Sequence, residues 1–156
     1  MRRHTDEYLT PEAIGRLRRD LKDLRTRQRP LAAAEMRRTA EMGDLSENAG
    51  YSAAKAQLMR INHRILSIEE RLKCAVPIAR GSGPSGRIRI GSTVVVSRDG
   101  REQTFDILGS QESNPTRGRI SHRSPLGTAL LGHHTGDDVT AVVNGRDITY
   151  RIIRVT

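Results

Sequence analysis

Residues 54–75 read AKAQLMRINHRILSIEERLKCA. Within them Ala54, Leu58, Ile61, Ile65, Ile68, Leu72 and Ala75 recur at alternating spacings of four and three. That period holds one narrow apolar seam on a helix, the pattern of an arm that packs against a single partner helix. The partner lies upstream, where Ile14, Leu17, Leu21, Leu24, Gln28 and Leu31 follow the same spacings. Thr10 is placed to cap this first arm, with Pro11 at the first helical position, where a missing N–H costs nothing. Arms of roughly 30 residues at about 1.5 Å each predict a rod on the order of 45 Å long. An antiparallel α-helical coiled-coil hairpin over residues 1–79 is the expectation. Pro30 interrupts the first arm and predicts a kink between Arg27 and Leu31, because Ala32 to Met42 returns to strong helix formers.

Between the arms stands Gly43-Asp44-Leu45-Ser46-Glu47-Asn48. Its two acids admit two readings. As a structural device, Asp44 caps the second helix and Glu47, three residues on, completes a capping-box-like pair. Acids there also gain about 0.3–1 kcal/mol each from the helix dipole. As a chemical device, two carboxylates at the end of a rod supply oxygen ligands to Mg²⁺, which takes one or two carboxylates and keeps several waters. Such a site binds metal weakly alone and well when a partner's carboxylates or phosphates complete it. The two readings are compatible, since a capped turn also holds carboxylates still.

Composition changes after Ile78. Residues 80–86, Arg-Gly-Ser-Gly-Pro-Ser-Gly, read as a linker or an extended lead-in. Short β-rich runs follow at Ser92–Ser97, Thr104–Leu108, Asp138–Val143 and Asp147–Val155, with Asp99-Gly100 and Asn144-Gly145 as hairpin turns. Ser124-Pro125 opens one short helical segment through Leu131. The fold class is therefore α+β: a helical hairpin, then a small antiparallel β-sheet domain with one short helix over residues 87–156. His122, His133 and His134 are read as surface residues without carboxylate or cysteine companions at ligand spacing.

Charge narrows the partners. The chain has 27 basic and 18 acidic residues, for a net charge of +9, which favours a polyanionic or nucleic-acid-rich partner. Lys22, Lys55 and Lys73 are the only lysines, a bias toward arginine that a GC-rich genome alone produces. Cys74 is the one cysteine, so no disulfide forms within the chain and a reducing cytosol is expected. No apolar run approaches the roughly 20 residues of a membrane span. Arg37, Arg38, Lys55, Arg60 and Arg64 lie within a few turns of the acidic tip and are placed to attract phosphates, although a charged outer face is ordinary for a coiled coil.

The stretch Gly43-Asp44-Leu45-Ser46-Glu47-Asn48-Ala49, with Tyr51 and Ala53-Ala54-Lys55, resembles the tip signature of the bacterial Gre transcript-cleavage factors. So do Arg29-Pro30, Ser124-Pro125-Leu126-Gly127 with Ala129-Leu130-Leu131-Gly132, and Gly136-Asp137. The tip is closer to the A-type subgroup than to the B-type, because Leu45 follows Asp44. The resemblance implies a C-terminal domain similar to FK506-binding proteins (FKBP-like) that docks on RNA polymerase, with Arg123, Ser124 and Pro125 in the docking surface. It implies that the hairpin enters the polymerase secondary channel and brings Asp44 and Glu47 to the catalytic centre. There they would share a second Mg²⁺ with the polymerase and promote cleavage near the 3′ end of a backtracked nascent RNA. The protein itself would not be an enzyme, and one copy would act as a monomer. Gly43, Leu45, Ser46, Asn48 and Tyr51 would shape the tip.

Three departures from that pattern stand out. Gly50 occupies a position that is commonly acidic in the family, Ser52 replaces a frequent larger polar residue, and Arg123 replaces a short polar or acidic residue. Gly50 and Arg123 leave open a second reading, a channel-binding regulator of polymerase without cleavage. A third, peptidyl-prolyl isomerisation, needs an aromatic-lined proline pocket, and only Phe105 and Tyr150 are aromatic in the C-terminal part.

Overall fold

The computed structural model describes residues 7–43 and 48–156. The chain divides into two compact units. One is Ile14–Cys74, and the other joins the residues up to Ala13 with Ala75–Thr156. Among the described residues no helix is long and apolar enough to cross a membrane.

The helical unit is a hairpin. Helix α1 (Pro11–Asp23) runs into a π-helical turn over Leu24–Gln28 and then into α2 (Arg29–Ala40), and α3 (Ala49–Cys74) returns. On α3 the buried residues are Ala54, Ile61, Ile65 and Ile68, the members of the seam read from the sequence, with Leu58 and Leu72 half-buried beside them. Arg25 pairs with Glu69, and Arg64 stands 3.9 Å from Asp20, so the two arms also meet through exposed charges. Exposed pairs of this kind contribute about 0–1 kcal/mol each, so the apolar seam dominates.

The first arm differs from expectation in an informative way. The irregularity expected near Arg27–Leu31 takes the form of a π-turn that begins at Leu24, where the Arg29 N–H donates to the Leu24 carbonyl five residues back. Pro30 then falls in the first turn of α2, where its missing N–H is tolerated. A π-turn carries one residue more than the α-helix it interrupts. The inward positions accordingly run Leu17, Leu24, Ala32 and Thr39, with spacings of seven, eight and seven. Leu31, assigned to the seam by a continuous helical period, is 64% exposed, and Ala32 takes its place at 8%. The Thr26 hydroxyl donates to the Lys22 carbonyl at 2.8 Å, and the Asp23 carboxylate accepts from Arg27 Nε (2.6 Å) and Gln28 Nε2 (2.7 Å). Those two donors, Arg27 first, lower the Asp23 pKa to about 2.

In the second unit, β1 (Tyr8–Leu9) pairs in parallel with β2 (Val76–Pro77). Thr10 caps α1 as the sequence suggests, its hydroxyl accepting from the Ala13 N–H at 3.2 Å. Its own N–H and hydroxyl both donate to the Glu112 carboxylate at 2.7 Å. A five-stranded sheet follows, in the order β5-β4-β3-β7-β6, built from β3 (Thr93–Arg98), β4 (Arg101–Leu108), β5 (Arg119–Ser121), β6 (Asp138–Val143) and β7 (Arg146–Val155). All pairings are antiparallel except β4 with β5, so the sheet is mixed at one edge. Both tight hairpins have positive φ at their two central residues, Asp99 and Gly100, Asn144 and Gly145, as a type I′ turn requires. Helix α4 (Pro125–Leu130) places Leu126 and Leu130 in a core with Ile88, Val94, Val96 and Ile107. Residues 80–86 belong to this unit rather than linking it loosely. Gly81 donates its N–H to Gly91 O (3.0 Å), Gly83 donates to Arg87 O (2.7 Å), and the Ser92 hydroxyl donates to Gly81 O (3.2 Å).

Two outcomes test the π-turn. Leu31→Lys leaves thermal unfolding nearly unchanged, whereas Ala32→Lys destabilises by about 2 kcal/mol or more, because it buries an amine against the seam. An uninterrupted α-helix reverses that order. Asp23, with its folded pKa depressed, stabilises the turn above about pH 4 and loses that contribution as pH falls toward 2. An NMR titration of the Asp23 carboxyl therefore has its midpoint near 2, and a midpoint near 4 contradicts the pairing.

Candidate functional site

Helix α2 ends at Ala40 and α3 starts at Ala49, so eight residues make the end of the hairpin. The expected catalytic and metal-holding residues Asp44 and Glu47, and the tip residues Leu45 and Ser46, lie outside the described residues. Gly43 has φ +126°, a conformation that a side chain rarely allows. On the far side Asn48 does two jobs. Its Oδ1 accepts the Tyr51 N–H at 2.9 Å, the geometry of an N-cap on α3, and its Nδ2 donates to the Thr39 carbonyl at 2.8 Å. The Ser52 N–H donates to the Asn48 carbonyl at 3.1 Å, the first bond of the helix.

Asn48 caps α3, and the capping pair weighed for Asp44 and Glu47 lies outside the described residues. Thr39 was not singled out in the sequence, because a threonine does not extend an apolar period. It is buried, and its hydroxyl donates toward the Glu35 and Met36 carbonyls at 3.0 Å each. Its carbonyl accepts both the Met42 N–H (3.3 Å) and the Asn48 amide. Gly50 also has a role here. A Cβ at that position would stand 3.2 Å from Asn48 Oδ1 and 3.7 Å from the Thr39 methyl, so glycine leaves room for the cap.

The basic residues named near the tip are all exposed. Arg38 is held by Glu35 through two contacts, of 2.6 and 2.9 Å, and this pairing raises the pKa of Arg38 and lowers that of Glu35. Among the described residues Arg64 has only its long contact to Asp20. Arg37, Lys55 and Arg60 make no ion pair among the described residues, which leaves their charge available to a polyanion.

The second candidate surface lies in the sheet unit. Ser124 caps α4, accepting the Gly127 N–H at 3.0 Å and donating to the Ser121 carbonyl at 2.7 Å. Gly127 is required by contact: a Cβ there would meet the Ser121 carbonyl oxygen at 2.1 Å. Pro125 and Arg123 are exposed on this turn, and the Arg123 N–H donates to Ser121 Oγ at 3.1 Å. The histidines need one correction, since Asp137 is a carboxylate companion to the His133 ring and meets His134 through its backbone N–H. It accepts the His134 N–H at 2.9 Å and faces His133 Nδ1 at 3.2 Å, and these contacts, the His134 N–H first, lower its pKa. Among the described residues no three His, Cys, Asp or Glu side chains stand together as a metal site. Tyr150 is buried in the core, and Phe105 packs half-buried against that core.

Asn48→Ala removes a cap and a cross-hairpin bond together. It is expected to lower stability by about 1–2 kcal/mol and to speed amide exchange at Tyr51 and Ser52 while sparing Ile61 to Ile68. Unchanged exchange at Tyr51 contradicts the assignment of the cap.

With the geometry established, comparison places the chain among known proteins. Residues 7–76 match the family described as "Transcription elongation factor, N-terminal", and residues 83–156 match "Transcription elongation factor, GreA/GreB, C-term". The chain is 36% identical over 150 residues to transcription elongation factor GreA of Oceanobacillus iheyensis, covering 95% of each chain. It is 39% identical over 148 residues to that of Thermomicrobium roseum, covering 94% of this chain and 95% of the relative. Among solved structures, GreA factor homolog 1 of Thermus thermophilus is 30% identical with a TM-score of 0.44, over 97% of this chain and 99% of that one. Both halves of the sequence match in their proper order, and the chain belongs to the GreA/GreB family of transcription elongation factors.

Proposed function

We propose that this chain, acting as a monomer, binds RNA polymerase at the secondary channel and stimulates the polymerase's own Mg²⁺-dependent cleavage of a backtracked nascent RNA. The observation that carries this reading is the Asn48 cap. It gives α3 a neutral cap and ties that cap to the last turn of α2, so both ends of the segment that carries Asp44 and Glu47 are fixed by uncharged groups. A short tip with two carboxylates and defined ends suits a shared cation better than it suits stability.

The donor set fits Mg²⁺. Two carboxylates match the one or two that this ion accepts, and the described residues add no further ligand cluster, so the site needs another molecule to complete it. When bound, Mg²⁺ neutralises charge on the phosphodiester and favours deprotonation of an attacking water. Asp44 and Glu47 would hold the ion and accept hydrogen bonds from its waters. Gly43 and Asn48 anchor the two ends of the segment that carries them. Exposed Arg37, Lys55 and Arg60 would draw RNA phosphates toward the hairpin, and the turn at Arg123, Ser124 and Pro125 would rest on the polymerase.

Asp44→Ala and Glu47→Ala should each lower stimulated cleavage by about two orders of magnitude or more, in keeping with several kcal/mol from a lost metal ligand. Polymerase binding and helical content should stay near the unmodified values. The assay is gel analysis of a stalled elongation complex with saturating protein. Absence of any shortened transcript with the unmodified chain favours the regulator without cleavage. Unfolding of the hairpin in both variants, with cleavage per bound molecule preserved, returns the acids to a structural role.

A further inference from the structure

The π-turn opens a groove of about 390 Å³ on one flank of the hairpin. Ala32, Ala54 and Ile61 form its floor, and Leu31, turned outward by the extra residue, forms a wall. Gln28 and Gln57 stand at its rim. The Gln57 amide makes no hydrogen bond among the described residues, so it has donors and an acceptor to offer. Gln28 gives one donor to Asp23 at 2.7 Å and keeps its carbonyl.

Charge on the same flank selects the occupant. Arg60 and Arg64 follow Gln57 by three and seven residues, which places them on its side of α3. Arg60 has no ion pair among the described residues, and Arg64 has only the 3.9 Å contact to Asp20. The acid in the groove, Glu35, is neutralised by Arg38 and does not repel a phosphate. An apolar floor, an amide with no hydrogen bond among the described residues and two guanidinium groups beside it match one nucleotide of a single strand: base on the floor, base edge to Gln57, phosphate to arginine. Gln57 lies eight residues into α3, about 12 Å along the helix from its first residue.

We infer that this groove is a base-binding subsite for single-stranded RNA. The inference rests on the proposed function, in which an RNA 3′ segment runs beside the hairpin, and adds recognition of a base to attraction of phosphates.

The test titrates the full-length chain with a ten-nucleotide single-stranded RNA and with an abasic oligomer of the same phosphate count, followed by NMR. Intact RNA should shift the Gln57 side-chain amide with the Ala54 and Ile61 signals, whereas the abasic oligomer should shift only signals near Arg60 and Arg64. Gln57→Ala should weaken the intact RNA about fivefold, the scale of one lost hydrogen bond, and leave the abasic oligomer unaffected. Arg60→Ala should weaken both and reduce the salt slope by about 0.7. Equal affinity for the two oligomers, or groove signals that stay still, overturns the inference. So does protection of the groove by polymerase free of RNA, which would make the occupant a protein surface. Asp44→Ala should keep every one of these shifts, so a failure of the cleavage reading and a failure of the groove are told apart.

Discussion

Among the described residues, one side-chain amide ties the end of α2 to the start of α3. Asn48 accepts from the first turn of α3 and donates to the last turn of α2, satisfying an orphan donor of one helix and a carbonyl near the end of the other. Each bond is worth about 1 kcal/mol net, which is small beside the apolar seam. Its effect lies in position. This neutral residue supplies the cap, so the described start of α3 carries no charge of its own at that position.

The π-turn is the other local feature with consequences along the arm. Pro30 cannot donate to the preceding turn, and the chain answers by inserting one residue ahead of it. That insertion moves the inward position from Leu31 to Ala32, and the smaller side chain leaves space between the arms. A backbone defect forced by one proline thus both preserves the seam beyond it and creates a concave surface. The exchange of a leucine for an alanine at the seam costs apolar burial, which Leu24 and the isoleucines of α3 offset.

Much of this was legible in the residues. The seam of α3, the caps at Thr10 and Ser124, and the Asp-Gly and Asn-Gly hairpins follow from period and turn chemistry, and the structure contains all of them. Three features were not legible. The π-turn changes the helical period by one residue, which a sequence shows only as a proline. Strand β5 has a single buried residue, Ile120, and β1 and β2 are two residues each, too short to set an alternation. Glu112 meets Thr10 across 102 residues of chain, a contact no local pattern encodes. At the tip, the sequence places the cap of the second helix at Asp44, and the start of α3 at Ala49 identifies Asn48 as the residue in the capping position.

Shared metal ligation is the centre of the account, and the Mg²⁺ dependence of RNA cleavage measures it most directly. Cleavage in a backtracked polymerase complex is followed over a Mg²⁺ titration with and without this chain. Two added carboxylate ligands should lower the Mg²⁺ concentration for half-maximal cleavage as well as raise the plateau. A higher plateau at an unchanged half-maximal concentration would contradict the account, because the tip would then act without holding the ion.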